Sequence, residues 1–173
     1  MSPSLASSPQ GSFAIRAARP GDAPKIARVH AAAIEVCRGH YGGDEIDAWL
    51  ATVEEACHRR AIKSHRVLVA ERHRRIVAFG DVDAARGEIV HLYTCPTVAG
   101  RGIGTALLQE LEAIAGDASP PTLHLRASLN AEGFYRRRGY AVTDGPRTFM
   151  LGDVDLACVP MVKAAPNGKI ADS

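Results

Sequence analysis

The sequence predicts an α/β protein folded as one domain, and three observations carry that prediction. Apolar stretches of strand length, at residues 67–70, 76–82, 89–93 and 123–127, are interleaved with stretches whose apolar residues recur at helical spacing. One stretch, residues 88–108 (EIVHLYTCPTVAGRGIGTALL), holds a strand, a glycine-rich turn and a helix start in direct succession. The chain has 173 residues and is 46% apolar, which suits a single sizeable core.

Residues 1–11 are rich in Ser and Pro and are expected to be disordered. Residues 164–173 are expected to form a loose tail, which leaves 12–163 as the domain. Residues 13–18 read as the first strand. Pro20 and Asp22 open a helix whose apolar face carries Ile26, His30, Ala33, Ile34 and Cys37. His30 reads there as a packed helix residue rather than a ligand. Tyr41, Gly42 and Gly43 break that helix, and Asp44 is expected to cap the next, which shows Ile46, Trp49, Leu50 and Val53 on one face. His58, Arg59 and Arg60 read as a solvated face. Residues 67–70 and 76–82 make two strands around a polar turn of Arg72, His73, Arg74 and Arg75, with a bulge expected at Gly80. After the glycine turn, Ile103, Leu107, Leu111 and Ile114 form a one-sided stripe that Gly116 is expected to end. Pro120 and Pro121 lead into the strand 123–127, and residues 159–163 form the last strand.

A net charge of +2 is too small to point to nucleic acid or a membrane surface. No apolar run approaches the roughly 18 residues of a transmembrane helix. The start, MSPSLASSPQ, lacks the basic and apolar regions of a secretory signal. Cys37, Cys57, Cys95 and Cys158 lie far apart with no C-x-x-C pair, as expected of reduced thiols in a cytoplasmic protein. Nothing in the sequence reads as a metal site.

Gly100, Gly102 and Gly104 alternate just before a helix. Glycine lets a backbone approach a ligand without a Cβ in the way. A helix start presents unpaired N–H groups and partial positive charge, so the unit suits a phosphate. A P-loop needs Gly-Lys-Ser/Thr, and this loop has Gly104-Thr105 without lysine. A dinucleotide fingerprint starting at Gly102 would need glycine where Leu107 stands.

The segment Ala99-Gly100-Arg101-Gly102-Ile103-Gly104 resembles the Gln/Arg-x-x-Gly-x-Gly/Ala signature of the GNAT superfamily of acyl-CoA-dependent N-acetyltransferases. Ala99 departs from the family's Gln or Arg at the first position, which affects only a side-chain contact. A second segment, residues 127–140 (ASLNAEGFYRRRGY), is similar to the family's strand ending at Asn, short helix carrying Phe-Tyr, and Gly-aromatic strand start. Tyr41, Ile46 and Trp49 also resemble the Tyr-x4-Ile-x2-Trp pattern of one bacterial subgroup, although Ile46 and Trp49 read equally well as core.

The resemblance implies a mixed, mostly antiparallel sheet of six or seven strands, splayed at the fourth and fifth and flanked by about four helices. It implies acetyl transfer from acetyl-CoA to a primary amine, by direct attack in a ternary complex. The acceptor, a small molecule or a peptide, is left open, as is a homodimer. Residues 99–105 (Ala99, Gly100, Arg101, Gly102, Ile103, Gly104, Thr105) would hold the pyrophosphate. The backbone of Leu92, Tyr93 and Thr94 would pair with the pantetheine arm and polarise the thioester, and Asn130 would bond the pantetheine. Tyr41 and Trp49 would border the acceptor.

Tyr135 is the candidate general acid, because a phenol of pKa about 10 is protonated at neutral pH; the alternative is that it only packs on the CoA sulfur. Glu88 is a candidate base and His91 its rival, with a water chain as a third route. Strand alternation puts Glu88 and His91 on opposite faces unless a bulge intervenes. Arg136, Arg137 and Arg138 read as a solvated helix end. The same segments are also compatible with a non-catalytic acyl-CoA-binding or regulatory module, or with a nucleotide-binding module.

Overall fold

The computed structural model describes residues 13–118 and 120–166. Of the expected tails, 1–11 and 164–173, residues 1–11 and 167–173 lie outside the described residues. In chain order the elements are β1 (Ala14–Ala17), α1 (Ala23–Glu35), α2 (Gly43–Ala51), α3 (Glu55–Ser64), β2 (Arg66–Arg72), β3 (Arg75–Asp83) and β4 (Glu88–Thr94). They continue with α4 (Ile103–Asp117), β5 (Thr122–Ala127), α5 (Glu132–Arg136), β6 (Ala141–Val142), β7 (Arg147–Leu151) and β8 (Val154–Ala164). The sheet runs β1-β2-β3-β4-β5-β8-β6, with β7 paired to β8. All pairings are antiparallel except β4 with β5.

That parallel pair is brief. Its single register contact is Glu88 with His124, and beyond it the two strands part. This is the splay implied by the resemblance. Among the described residues, the eight strands and five α-helices exceed the six or seven and four expected, because α3 and β7 carry little apolar signal. The buried residue of α3 is a histidine, His58. In β7 only Phe149 and Leu151 turn inward.

The helices cover both faces. Phe79 of β3 packs with Ile26 and Val29 of α1, while its neighbour Ala78 packs with Ile103 and Leu107 of α4. Successive residues of a strand point to opposite faces, so α1 and α4 lie on opposite sides. Gly80 serves the α4 side: a Cβ there would come 2.7 Å from Leu111 Cδ1. The bulge expected at Gly80 lies elsewhere. Asp81 pairs with His91 and Val82 with Ile89, which leaves Val90 of β4 as the extra residue.

Three expected boundaries move. Gly42, not Asp44, precedes α2, and the Glu45 carboxylate accepts the Gly42 N–H at 2.7 Å. Gly116 is inside α4, buried, and the helix ends at Asp117. Pro20–Asp22 is a 3-10 turn ahead of α1, tied by Arg16 donating to Asp22 at 2.7 Å. β8 reaches Ala164, and Ala165 is buried against the core.

Candidate active site

The glycine loop follows from its backbone. After a 3-10 turn at Pro96–Val98, Gly100 and Gly102 adopt φ of +75° and +79°, a region that side-chain-bearing residues rarely enter. A Cβ at either would meet nothing within 4 Å, so the loop's outer face is open. Gly102 is the N-cap of α4, and the first N–H groups of that helix have no acceptor within it. Gly104 is needed for a different reason: its Cβ would lie 3.3 Å from Thr94 Oγ1 and 3.6 Å from the Phe134 ring. The helix start is thereby pressed against the end of β4. Ala99 and Arg101 are exposed, and Ile103 is buried in the core. The open loop, the helix dipole and the small residues fit a pyrophosphate.

Arg138 corrects the reading of a solvated helix end. Its guanidinium stacks 3.6 Å above the Phe134 ring and donates to Thr105 Oγ1 and, at 2.7 Å, to the Phe134 carbonyl. Burial holds its pKa below the ordinary arginine value. Arg136 and Arg137 are exposed as expected.

Where β4 and β5 part, a cavity of about 200 Å³ opens, lined by Glu88, His91, Leu92, Tyr93 and Tyr135 among others. On its β3 side β4 is fully paired: Leu92 with Gly80, Tyr93 with Phe79, Thr94 with Ala78. Its other edge has lost β5, so the backbone groups there face the opening. Tyr135, on α5, is buried with its ring edge-on to Phe134 and Tyr140. Its hydroxyl makes no hydrogen bond among the described residues, and burial pushes the phenol well above its usual pKa. Asn130 is exposed at the end of β5, with Oδ1 3.5 Å from Cys37 Sγ.

Glu88 and His91 share a face, against the simple alternation. Asp81 and Asp83 stand two apart on β3 and so point the same way; they pair with His91 and Glu88. The bulge at Val90 supplies the odd residue that makes this possible. Glu88 is contacted by Arg126 at 3.6 Å and Arg86 at 3.9 Å. His91 Nδ1 lies 2.8 Å from Asp81 Oδ1.

Tyr41 and Trp49 line the far wall with Phe149 and Leu151, and both are buried. The Tyr41 hydroxyl is fully engaged: it donates to the Ala157 carbonyl at 2.8 Å and accepts the Leu129 N–H at 2.9 Å. Burial pushes its pKa up to about 12.

Sequence reasoning missed Asp81 and the histidines around it. His65 Nδ1 lies 3.3 Å from the second Asp81 oxygen. His58, read as solvated, is buried, with Nε2 3.4 Å from His30 Nδ1. The sequence carried only a weak signal: Asp81 follows buried Phe79 by two residues on one strand face, and Asp83 on the same face makes the pair read as solvated. Cys95, beside the loop, is 3.2 Å from Thr97 Oγ1. Among the described residues no group of three or more His, Cys, Asp or Glu is arranged to hold a metal, and no helix is long and apolar enough to cross a membrane.

The model of an acetyltransferase (GNAT) domain matches residues 37–164. No curated protein matches the chain. A GCN5-related N-acetyltransferase from Rhodopseudomonas palustris is 29% identical, with a TM-score of 0.83 over 94% of this chain and 99% of that one. The PaiA N-acetyltransferase of Thermoplasma acidophilum, solved with coenzyme A, is 20% identical (TM-score 0.72, 88% and 99% covered). A phosphinothricin acetyltransferase of Sinorhizobium meliloti, solved with acetyl-CoA, is 18% identical (TM-score 0.69, 92% of each chain). Matched by that family model over most of its length, the chain belongs to the GNAT acetyltransferase family.

Proposed function

We propose that this protein moves the acetyl group of acetyl-CoA to a primary amine, of a small molecule or a peptide, by direct attack in a ternary complex. The observation that carries the reading is the gap between β4 and β5, with Tyr135 in its lining, on the same strand–loop–helix unit that carries the open glycine loop just after β4. The N–H groups at the start of α4 would take the pyrophosphate. The free edge of β4 at Leu92, Tyr93 and Thr94 would pair with the pantetheine amides and polarise the thioester carbonyl. Exposed Asn130 would meet the arm outside the cavity. The amine nitrogen bonds to the carbonyl carbon as the C–S bond breaks, and the thiolate takes a proton. Tyr135 supplies it: its raised pKa keeps the phenol protonated, and its hydroxyl has no competing partner. The proton lost by the amine leaves toward the Glu88 and His91 face. Tyr41, Ile46 and Trp49 pack in one cluster beside the cavity, which supports placing the chain in the Tyr-x4-Ile-x2-Trp subgroup, with these residues shaping the acceptor wall. A cytoplasmic location suits four unpaired thiols.

Thermal unfolding with saturating acetyl-CoA, and with ATP and NAD as controls, tests the coenzyme site. Ligand at about 100 times its dissociation constant adds about 2.7 kcal/mol. For a chain of this size that is a rise in Tm of roughly 5–11 °C. No rise with acetyl-CoA, or a rise only with a nucleotide, sinks the reading. A rise without CoA release from any amine of a broad panel makes the protein a non-catalytic acyl-CoA-binding module.

A further inference from the structure

The cavity wall holds an arrangement that the glycine loop and Tyr135 do not explain. Asp81 is 1% exposed, one of three buried acids among the described residues. Each of its oxygens meets an imidazole: Oδ1 lies 2.8 Å from His91 Nδ1 and Oδ2 lies 3.3 Å from His65 Nδ1. A buried carboxylate needs such partners, because desolvation of an unpaired charge is very costly. A carboxylate only accepts hydrogen bonds, so the His91 nitrogen facing it carries the hydrogen. The other nitrogen, Nε2, then keeps its lone pair and points away from Asp81, on a ring that lines the cavity and is one-third exposed. The bulge at Val90 is what turns this ring onto the cavity face.

The groups around His91 leave this pairing uncontested. His30 of α1 packs edge-on with its ring centroid 5.3 Å away, His58 of α3 lies at 6.5 Å, and Tyr93 and Phe79 complete the surround. Burial holds His30 down to about pKa 2 and lowers His58, so both are neutral and neither competes as a cation for Asp81. Glu88, the other candidate, has its two oxygens turned to Arg126 and Arg86.

We infer that Asp81 is a positioning residue, steadied by His65, that holds His91 with its Nε2 lone pair in the cavity as the base for the acceptor amine. The inference rests on the acetyl-transfer reading. An ammonium acceptor loses one proton to His91 Nε2 before attack. The nitrogen loses a second as the C–S bond breaks; Tyr135 gives a proton to sulfur and is replenished with this one. His91 returns its proton to water, so one H+ is released per amide and CoA thiol formed.

The test uses the full chain with tyramine, phenethylamine, spermidine and an alanyl peptide as acceptors, and CoA release as the rate. With the best of these, His91→Gln and Asp81→Asn are each expected to lower kcat by about 100-fold, the range of a lost or mis-tautomerised base, with the acetyl-CoA KM unchanged. Asp81→Glu is expected to recover part of the Asp81→Asn loss. Glu88→Gln is expected to lower kcat by less than His91→Gln does. Independently of any acceptor, 15N NMR of the imidazoles should show His91 of the wild type as the Nδ1–H tautomer and of Asp81→Asn as Nε2–H. If Asp81→Asn does not fold, His65→Asn, at a partly exposed ring, takes its place and is expected to lower kcat several-fold. Wild-type turnover with an unaffected Asp81→Asn, an Nε2–H tautomer in the wild type, or the large loss falling on Glu88→Gln would overturn the inference alone. Absence of acetyl-CoA binding, or of CoA release with every amine, would overturn it together with the acetyltransferase reading.

Discussion

Tyr135 illustrates how one residue joins folding to chemistry. Its ring fills the core between Phe134 and Tyr140, while its hydroxyl is without a protein partner among the described residues. Those two facts separate under mutation. Tyr135→Phe keeps the ring, so stability is expected to change by less than about 0.5 kcal/mol. Loss of the proton donor is expected to lower kcat about 100-fold with the acetyl-CoA KM little changed. Steady-state kinetics beside a urea melt checks both, and an unaltered kcat would reduce Tyr135 to packing. The residue was legible in the sequence because the 127–140 segment carries its own spacing. Asp81 was not, because an isolated Asp in a strand reads as a solvent-facing position until the register shows what stands opposite.

At the scale of elements, the far wall of the cavity is held by one hydroxyl. Tyr41, just before α2, connects the Ala157 carbonyl on β8 to the Leu129 N–H after β5. Its two bonds therefore tie a helix start to β8 and to the chain just after β5. Tyr41→Phe leaves a donor and an acceptor without their partner, which is expected to cost about 1–3 kcal/mol. Equilibrium urea unfolding should show a lower midpoint with an unchanged slope. A midpoint equal to the wild type would mean that water replaces the hydroxyl at no cost. The spacing of Tyr41, Ile46 and Trp49 could be seen in the sequence, but the role could not. Ala157 lies 116 residues from Tyr41, and nothing local predicts that meeting. The same holds for β4, where alternation separated Glu88 from His91 and a one-residue bulge reunited them.

Across the whole molecule, the buried histidines make stability depend on acid. His30 has a folded pKa of about 2 against an ordinary 6.5, through burial first and the nearby His91 and His58 second. The unfolded chain therefore binds a proton that the folded one refuses. Stability is complete above about pH 6.5 and falls as pH drops toward 2. From His30 alone the loss is about 2 kcal/mol between pH 6.5 and 5, or roughly 4–8 °C in Tm. His58 acts in the same direction. Thermal melts from pH 7.5 to 5 should show the decline, and His30→Gln should flatten it. An equal decline in that variant would place the acid sensitivity elsewhere.

The sequence by itself determined the α/β class, the strand–glycine–helix unit, the Asn130 to Tyr135 segment and the family they resemble. These are local patterns, set by residues a few positions apart that share one turn of helix or one stretch of strand. Tertiary structure alone decided which groups meet. It set Asp81 against His91 and His65, seated His58 under His30, tied Arg138 to Thr105, and stacked it on Phe134. Those contacts depend on strand register and helix packing, and a shift of one residue in β4 is enough to change which side chain faces the cavity.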